Sequence, residues 1–219
     1  MIELYFGPGA CSFVPHVALE VVSARTGTAY EPRLVKLHRA EHRTPEYLAL
    51  NPEGLVPLLV VDGRPLSQIV AICDYLDRRF PDAGLLPRDE WARAQAMSRL
   101  AWMNNTVHPT FTHFFLPGKF TDDADAKGKL KAAALAPYRE HLERIQGWIG
   151  QASPGWLCGE RISFLDAYAL TLLRWGGMMG IDPDTLPAYK AFVERLAGEP
   201  AVAAALERER IPLNPYKAA

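Results

Sequence analysis

Apolar side chains along this chain keep two different rhythms, and the change between them falls near residue 81. Ile2–Phe6 is a short, mostly apolar run stopped by Gly7-Pro8-Gly9, which predicts a strand. Residues 13–24 carry apolar positions at helical spacing, and residues 30–37 read as a second strand. Residues 44–50 predict one short helical turn, after which Asn51-Pro52-Glu53-Gly54 turns the chain into a third strand over 56–61. Asp62-Gly63 between two apolar runs is a hairpin signal, and the return strand is Arg64–Ser67. A helix follows through Phe80, with Ile72, Tyr75, Leu76 and Phe80 on one apolar face.

Prolines and Gly84 between Pro81 and Pro87 break the helical period, and no convincing strand pattern follows. The remainder predicts helices over 89–115, 122–151, 163–175, 186–197 and 200–208. Residues 1–81 thus read as an α/β domain with a four-stranded mixed sheet, 82–87 as a linker, and 88–219 as an all-helical domain. Ser163-Phe164-Leu165-Asp166 has the spacing of a capping box, so Asp166 is expected to hold a helix start and not to act as a catalytic acid.

Charge and cysteines narrow the function. Lys plus Arg total 24 against 25 Asp plus Glu, a net charge of −1, so no basic field is available for nucleic acid or an anionic membrane. Cys11, Cys73 and Cys158 are odd in number and far apart, which fits neither a disulfide framework nor a metal site. With no leader-like start and no apolar run of membrane length, a cytoplasmic protein that takes a small molecule, without metal, is expected.

Cys11 is the residue with the most chemical content. It follows Pro8-Gly9-Ala10 where the chain enters a helix, and a thiol there faces unpaired N–H groups and the positive end of the helix dipole. Those groups favour the thiolate, so a lowered pKa is expected. Val14 stands where a Cys-x-x-Cys pair would need its second thiol, so any redox cycle must borrow one.

Several motifs in this order resemble the cytosolic glutathione S-transferases, and Tyr5-Phe6-Gly7-Pro8-Gly9-Ala10-Cys11-Ser12 with His108 is similar to the bacterial beta class. The others are Asn51-Pro52-Glu53-Gly54-Leu55-Val56-Pro57, Leu66-Ser67-Gln68-Ile69-Val70-Ala71-Ile72, and Trp156-Leu157-Cys158-Gly159 ahead of Ser163 and Asp166. The resemblance implies a thioredoxin-like N-terminal domain, an all-α C-terminal domain, a cis Val56-Pro57 bond, glutathione as cosubstrate, and a homodimer. It places glutathione along Tyr5, Ala10, Ser12, Leu55, Val56, Pro57, Gln68, Ile69, Asn104 and Asn105, with Cys11 and His108 as catalytic residues.

Within that frame Val56 would pair with the peptide backbone of glutathione, and Gln68 and Ile69 would meet its γ-glutamyl end. Ile69 lacks the hydroxyl often found there, so weakened binding is expected. His108 would tune the sulfur, with Asn104 and Asn105 on the same helix face. Two chemistries fit: a glutathione thiolate attacking a small hydrophobic electrophile, or Cys11 exchanging thiols with a disulfide. The alternative is a non-catalytic relative that binds hydrophobic ligands or protein partners, which Ile69 favours and the joint presence of Cys11, Val56-Pro57, Gln68 and His108 opposes.

Overall fold

A computed structural model describes residues 1–152 and 154–217. Strand β1, Ile2–Phe6, leads through a turn into α1, Phe13–Thr26, and then to β2, Glu31–Leu34. After the short helix α2, Pro45–Leu50, come β3, Leu58–Val61, and β4, Arg64–Ser67. The sheet order is β2-β1-β3-β4, with β1 parallel to β2 and antiparallel to β3, so the four-stranded mixed sheet is as expected. Asp62 and Gly63 both have positive φ, the geometry a two-residue hairpin turn demands. Pro32 and Pro65 lie in the two edge strands, where a missing N–H costs no inner ladder bond.

Two strands are shorter than their apolar runs. β2 ends at Leu34 because the chain turns from Leu37 into two successive 3₁₀ turns. β3 starts at Leu58 because Pro57 has no N–H to give the ladder, and the Val56-Pro57 bond is cis, as expected. Alternation along β1 sorts its side chains. Leu4 and Phe6 join the large core with α1, whereas Tyr5 packs edge-on against Tyr47 in a smaller cluster with Val35, Leu58 and Val60.

Helix α3, Ile69–Arg79, closes this part of the chain, and a 3₁₀ turn, Pro81–Ala83, leads on to helices only: among the described residues no strand follows Ser67. The helix expected over 89–115 is three segments. α4, Glu90–Trp102, passes into a wider π turn over Met103–Val107 and then α5, His108–Phe115. Pro109 accounts for the interruption, since it has no N–H for the carbonyl four residues back and its ring crowds that group. The last four helices are α6, Ala124–Ala152; α7, Phe164–Met178; α8, Pro187–Ala197; and α9, Pro200–Glu209.

α7 is buried along nearly its whole length and packs on α1, so one core runs through both parts of the molecule. Its start is built as expected: the buried Asp166 carboxylate accepts from the Ser163 N–H at 2.7 Å, the Ser163 hydroxyl at 2.6 Å and the Leu157 N–H at 2.8 Å. None of the described helices is long and apolar enough to cross a membrane.

Candidate active site

The turn between β1 and α1 is locked by its own backbone. Ala10 N–H donates to Gly7 C=O at 3.0 Å, and Phe13 N–H donates to Ala10 C=O at 3.0 Å. Ser12 caps α1, so Cys11 sits one position before the cap and not in the first turn. The Ser12 hydroxyl is fully buried, accepting from Gly7 N–H at 3.1 Å and donating to Gly7 C=O at 3.2 Å. That corrects the expectation for Ser12: its hydroxyl is used in closing the turn and has nothing left for a ligand.

Cys11 also departs from expectation. Burial pushes its thiol up from 9.0 to about 12, although its own N–H and that of Ser12 pull the other way and Lys119 helps them; the Glu209 carboxylate adds to the rise. The helix-start argument gave the right sign for the N–H groups, but desolvation of the charged sulfur is the larger effect. Cys11 is therefore a neutral thiol, and its Sγ donates to the Val56 carbonyl at 3.5 Å.

That carbonyl belongs to a segment held from behind. Asn51 Nδ2 and Tyr47 Oη both donate to the Leu55 C=O, at 2.8 and 2.6 Å. β3 ladder pairing begins only at Leu58, so Leu55 and Val56 form a stretch of backbone outside the sheet's pairing. Beside it, Gln68 has φ of 74°, a left-handed conformation unusual for a non-glycine residue, and its side chain donates to Glu53 at 3.0 Å. Ile69 opens α3, where the first N–H groups have no intrahelical partner. Its side chain is 3% exposed and belongs to the large core. The side chain at this position packs inward, and only the backbone faces the start of the helix.

In the helical part, His108 Nδ1 lies 3.0 Å from the Tyr168 hydroxyl, and Tyr168 Oη lies 3.3 Å from Asn104 Oδ1. The His108 ring meets Trp175 edge to face, with centroids 4.8 Å apart. Burial lowers His108 to about 4, so the imidazole is neutral at neutral pH. Asn104 joins this group, but Asn105 is exposed and its amide oxygen accepts from Thr106 at 3.0 Å. The π turn upsets the simple spacing that put both on one face. The Lys119 charge acts on Cys11, His42 and His108 alike, which sets the 3₁₀ turn Pro117–Lys119 near all three. On either side of that lysine, Phe115, Leu116 and Phe120 are exposed apolar side chains.

Family comparison decides what these residues belong to. Residues 2–78 match the glutathione S-transferase N-terminal domain and residues 103–200 the C-terminal domain. A glutathione S-transferase of Xanthomonas campestris pv. campestris is 34% identical over 95% of this chain and 98% of its own. The chain belongs to the glutathione S-transferase family. A glutathione transferase homolog from Sulfitobacter, solved with bound glutathione, superposes with a TM-score of 0.87 at 27% identity, covering 96% of this chain and 99% of that one. The bacterial beta class glutathione S-transferase of Sphingomonas chungbukensis is 32% identical, with a TM-score of 0.79 over 94% of this chain and 98% of its own.

In this transferase Tyr168, Trp175, Glu209 and Lys119 are neighbours of the site that sequence reasoning missed. Tyr168 and Trp175 sit in a helix apolar nearly all round, where polar tips look like ordinary core side chains, and no sequence signal separates them. Phe111 is a packing residue, stacked on Trp175 at 4.3 Å. Tyr5 stays in the smaller cluster with Tyr47.

Proposed function

We propose that this enzyme transfers the glutathione sulfur to small hydrophobic electrophiles, with Cys11 acting as a neutral hydrogen-bond donor to that sulfur and not as the nucleophile. The observation that carries the reading is the Cys11 thiol: buried, held protonated, and already donating toward the Val56 carbonyl. Glutathione laid along Leu55, Val56 and Pro57 would pair with the Val56 N–H, and with its C=O once the Cys11 thiol turns from that carbonyl to the sulfur, as an added strand does. Its γ-glutamyl carboxylate would meet the Ile69 N–H at the start of α3 and its amine the Gln68 amide. Its sulfur would then lie against Ala10 and Cys11.

His108 supplies a second donor. The Tyr168 hydroxyl has one proton, and 3.3 Å to Asn104 is long for O–H···O, whereas 3.0 Å to His108 is ordinary. With that proton on the Nδ1 side, the neutral ring carries its own at Nε2 and can donate to an anionic sulfur. The Lys119 charge adds to the field at the same place. The thiolate attacks carbon, the C–S bond forms, the leaving group departs with its electron pair, and the thiol proton goes to solvent. Phe115, Leu116 and Phe120 offer the apolar wall for the electrophile. Thiol exchange through Cys11 would first have to ionise a buried thiol, which makes it the lesser activity.

The reading takes 1–81 and 88–219 as the two domains, joined by 82–87, in a cytoplasmic homodimer. Turnover of an activated aryl halide with glutathione, followed by absorbance of the thioether, tests the activity. Product formation inhibited by S-methylglutathione in competition with glutathione is expected. No product at any glutathione concentration refutes the proposal.

A further inference from the structure

The residue two places before Cys11 is held on both sides by the helical part of the molecule. Gly9 N–H donates to Glu209 Oε2 at 2.8 Å, and Gly9 C=O accepts from Trp175 Nε1 at 2.9 Å. Gly9 has φ of 72°, and a Cβ there would lie 3.3 Å from Arg174 Nη1, so the loop passes this point as glycine only. Glu209 ends α9, 200 residues away in sequence, with a fully buried carboxylate. Its other oxygen meets His16 Nδ1 at 2.8 Å on α1, the helix that the Cys11 turn feeds. His16 Nε2 is buried without a partner, so the ring's polar contact is this one carboxylate.

Trp175 carries the same clamp to the opposite wall. Its ring stacks on Phe111 at 4.3 Å and 12°, and meets the His108 ring at 4.8 Å. One indole therefore holds the carbonyl of the thiol loop by its N–H and the imidazole by its face. A buried carboxylate is costly, and an apolar residue would serve α1 and α9 packing better. Its placement makes sense if what it secures is the loop.

We propose that Glu209 and Trp175 are positioning residues of the sulfur site: together they clamp Gly9 and so set where Cys11 sits relative to His108. This rests on the reading of Cys11 and His108 as the site, so one measurement must report on the loop without turnover. Alkylation of Cys11 by iodoacetamide, followed by mass spectrometry of its peptide in the full chain, does so.

Glu209→Ala frees the loop, and the expected result is Cys11 alkylation at least fivefold faster. Its kcat should fall at least tenfold with the aryl halide KM unchanged within twofold. Glu209→Gln removes the same charge but keeps a carbonyl that can accept from Gly9 N–H, and should hold Cys11 alkylation within twofold and kcat within threefold of wild type. Trp175→Phe keeps an aromatic ring in the core and loses the donor along with part of the indole's volume, and should move alkylation and kcat in the same directions as Glu209→Ala. If Glu209→Ala does not fold, as judged by circular dichroism, Trp175→Phe carries the test. Alkylation and kcat within twofold of wild type in the folded Ala and Phe variants would overturn the clamp, and so would a Gln variant as impaired as Ala. A wild-type chain without turnover whose variants still alkylate faster would leave the clamp standing and remove the transferase reading instead.

Discussion

Cys11 should be one of the least reactive free thiols in its pH range, and the structure gives the size of the effect. Its shift from 9.0 to about 12 lowers the thiolate fraction at about pH 7.5 by roughly a thousandfold, since each unit is a factor of ten while the thiol stays mostly protonated. Only the thiolate is alkylated at a useful rate, so labelling by iodoacetamide should be slower than that of an ordinary exposed cysteine by about the same factor. The sign follows from cause: burial disfavours the anion, so reactivity is low at neutral pH and climbs about tenfold per pH unit without levelling off before the raised value is reached. The assay is the rate of carboxamidomethylation of the Cys11 peptide between about pH 6.5 and 10, read by mass spectrometry beside a free small thiol as standard. Cys158, also pushed up to about 12 by burial, is an internal control of the same sign. A labelling midpoint below about pH 8 at Cys11 would refute the reasoning, because the helix-start N–H groups would then outweigh burial. The same argument fixes the fate of Cys11→Ala. An S–H is a weak donor, so its loss should cost about 0.5–1.5 kcal/mol, a two- to twelvefold drop in kcat, with conjugation retained.

Other residues give independent tests. His108→Ala removes a donor to a charged sulfur, worth about 1.5–3 kcal/mol, so kcat should fall roughly ten- to 150-fold; Tyr168→Phe, which frees the ring's tautomer, should fall less in the same assay. With His108 lowered to about 4, its imidazole should stay neutral from neutral pH down to about 5 when its ring signals are followed by NMR, and a midpoint near 6.5 would show that burial does not control it. Asp166→Ala strands two buried N–H groups and a hydroxyl at the α7 start, and should cost about 3 kcal/mol or more in denaturant unfolding. Ile69→Ser puts a hydroxyl into the core, so a loss of about 2–4 kcal/mol in stability is expected, and calorimetric titration should show no gain in glutathione affinity per folded molecule.

What could be read from the sequence follows the range of the forces involved. The strand positions, the hairpin at Asp62-Gly63, the capping box at Ser163 and the all-helical remainder depend on neighbours a few residues apart, and periodicity reports those directly. The π turn was legible in principle, since Pro109 marks it, but where the helix widens depends on which carbonyl the proline strands. The state of Cys11 was not legible. Its local N–H groups argue for a thiolate, and what reverses them is tertiary: burial of the thiol in the fold, with the Glu209 carboxylate adding to it. The same distance hides Tyr168, Trp175 and Glu209, each reaching the site over 60 residues or more of chain. A thiol whose own turn favours ionisation, held neutral by the rest of the fold, is suited to the donor role proposed for it. On that proposal the sulfur that must be anionic is the one glutathione brings, with Lys119, His108 and Cys11 acting on it.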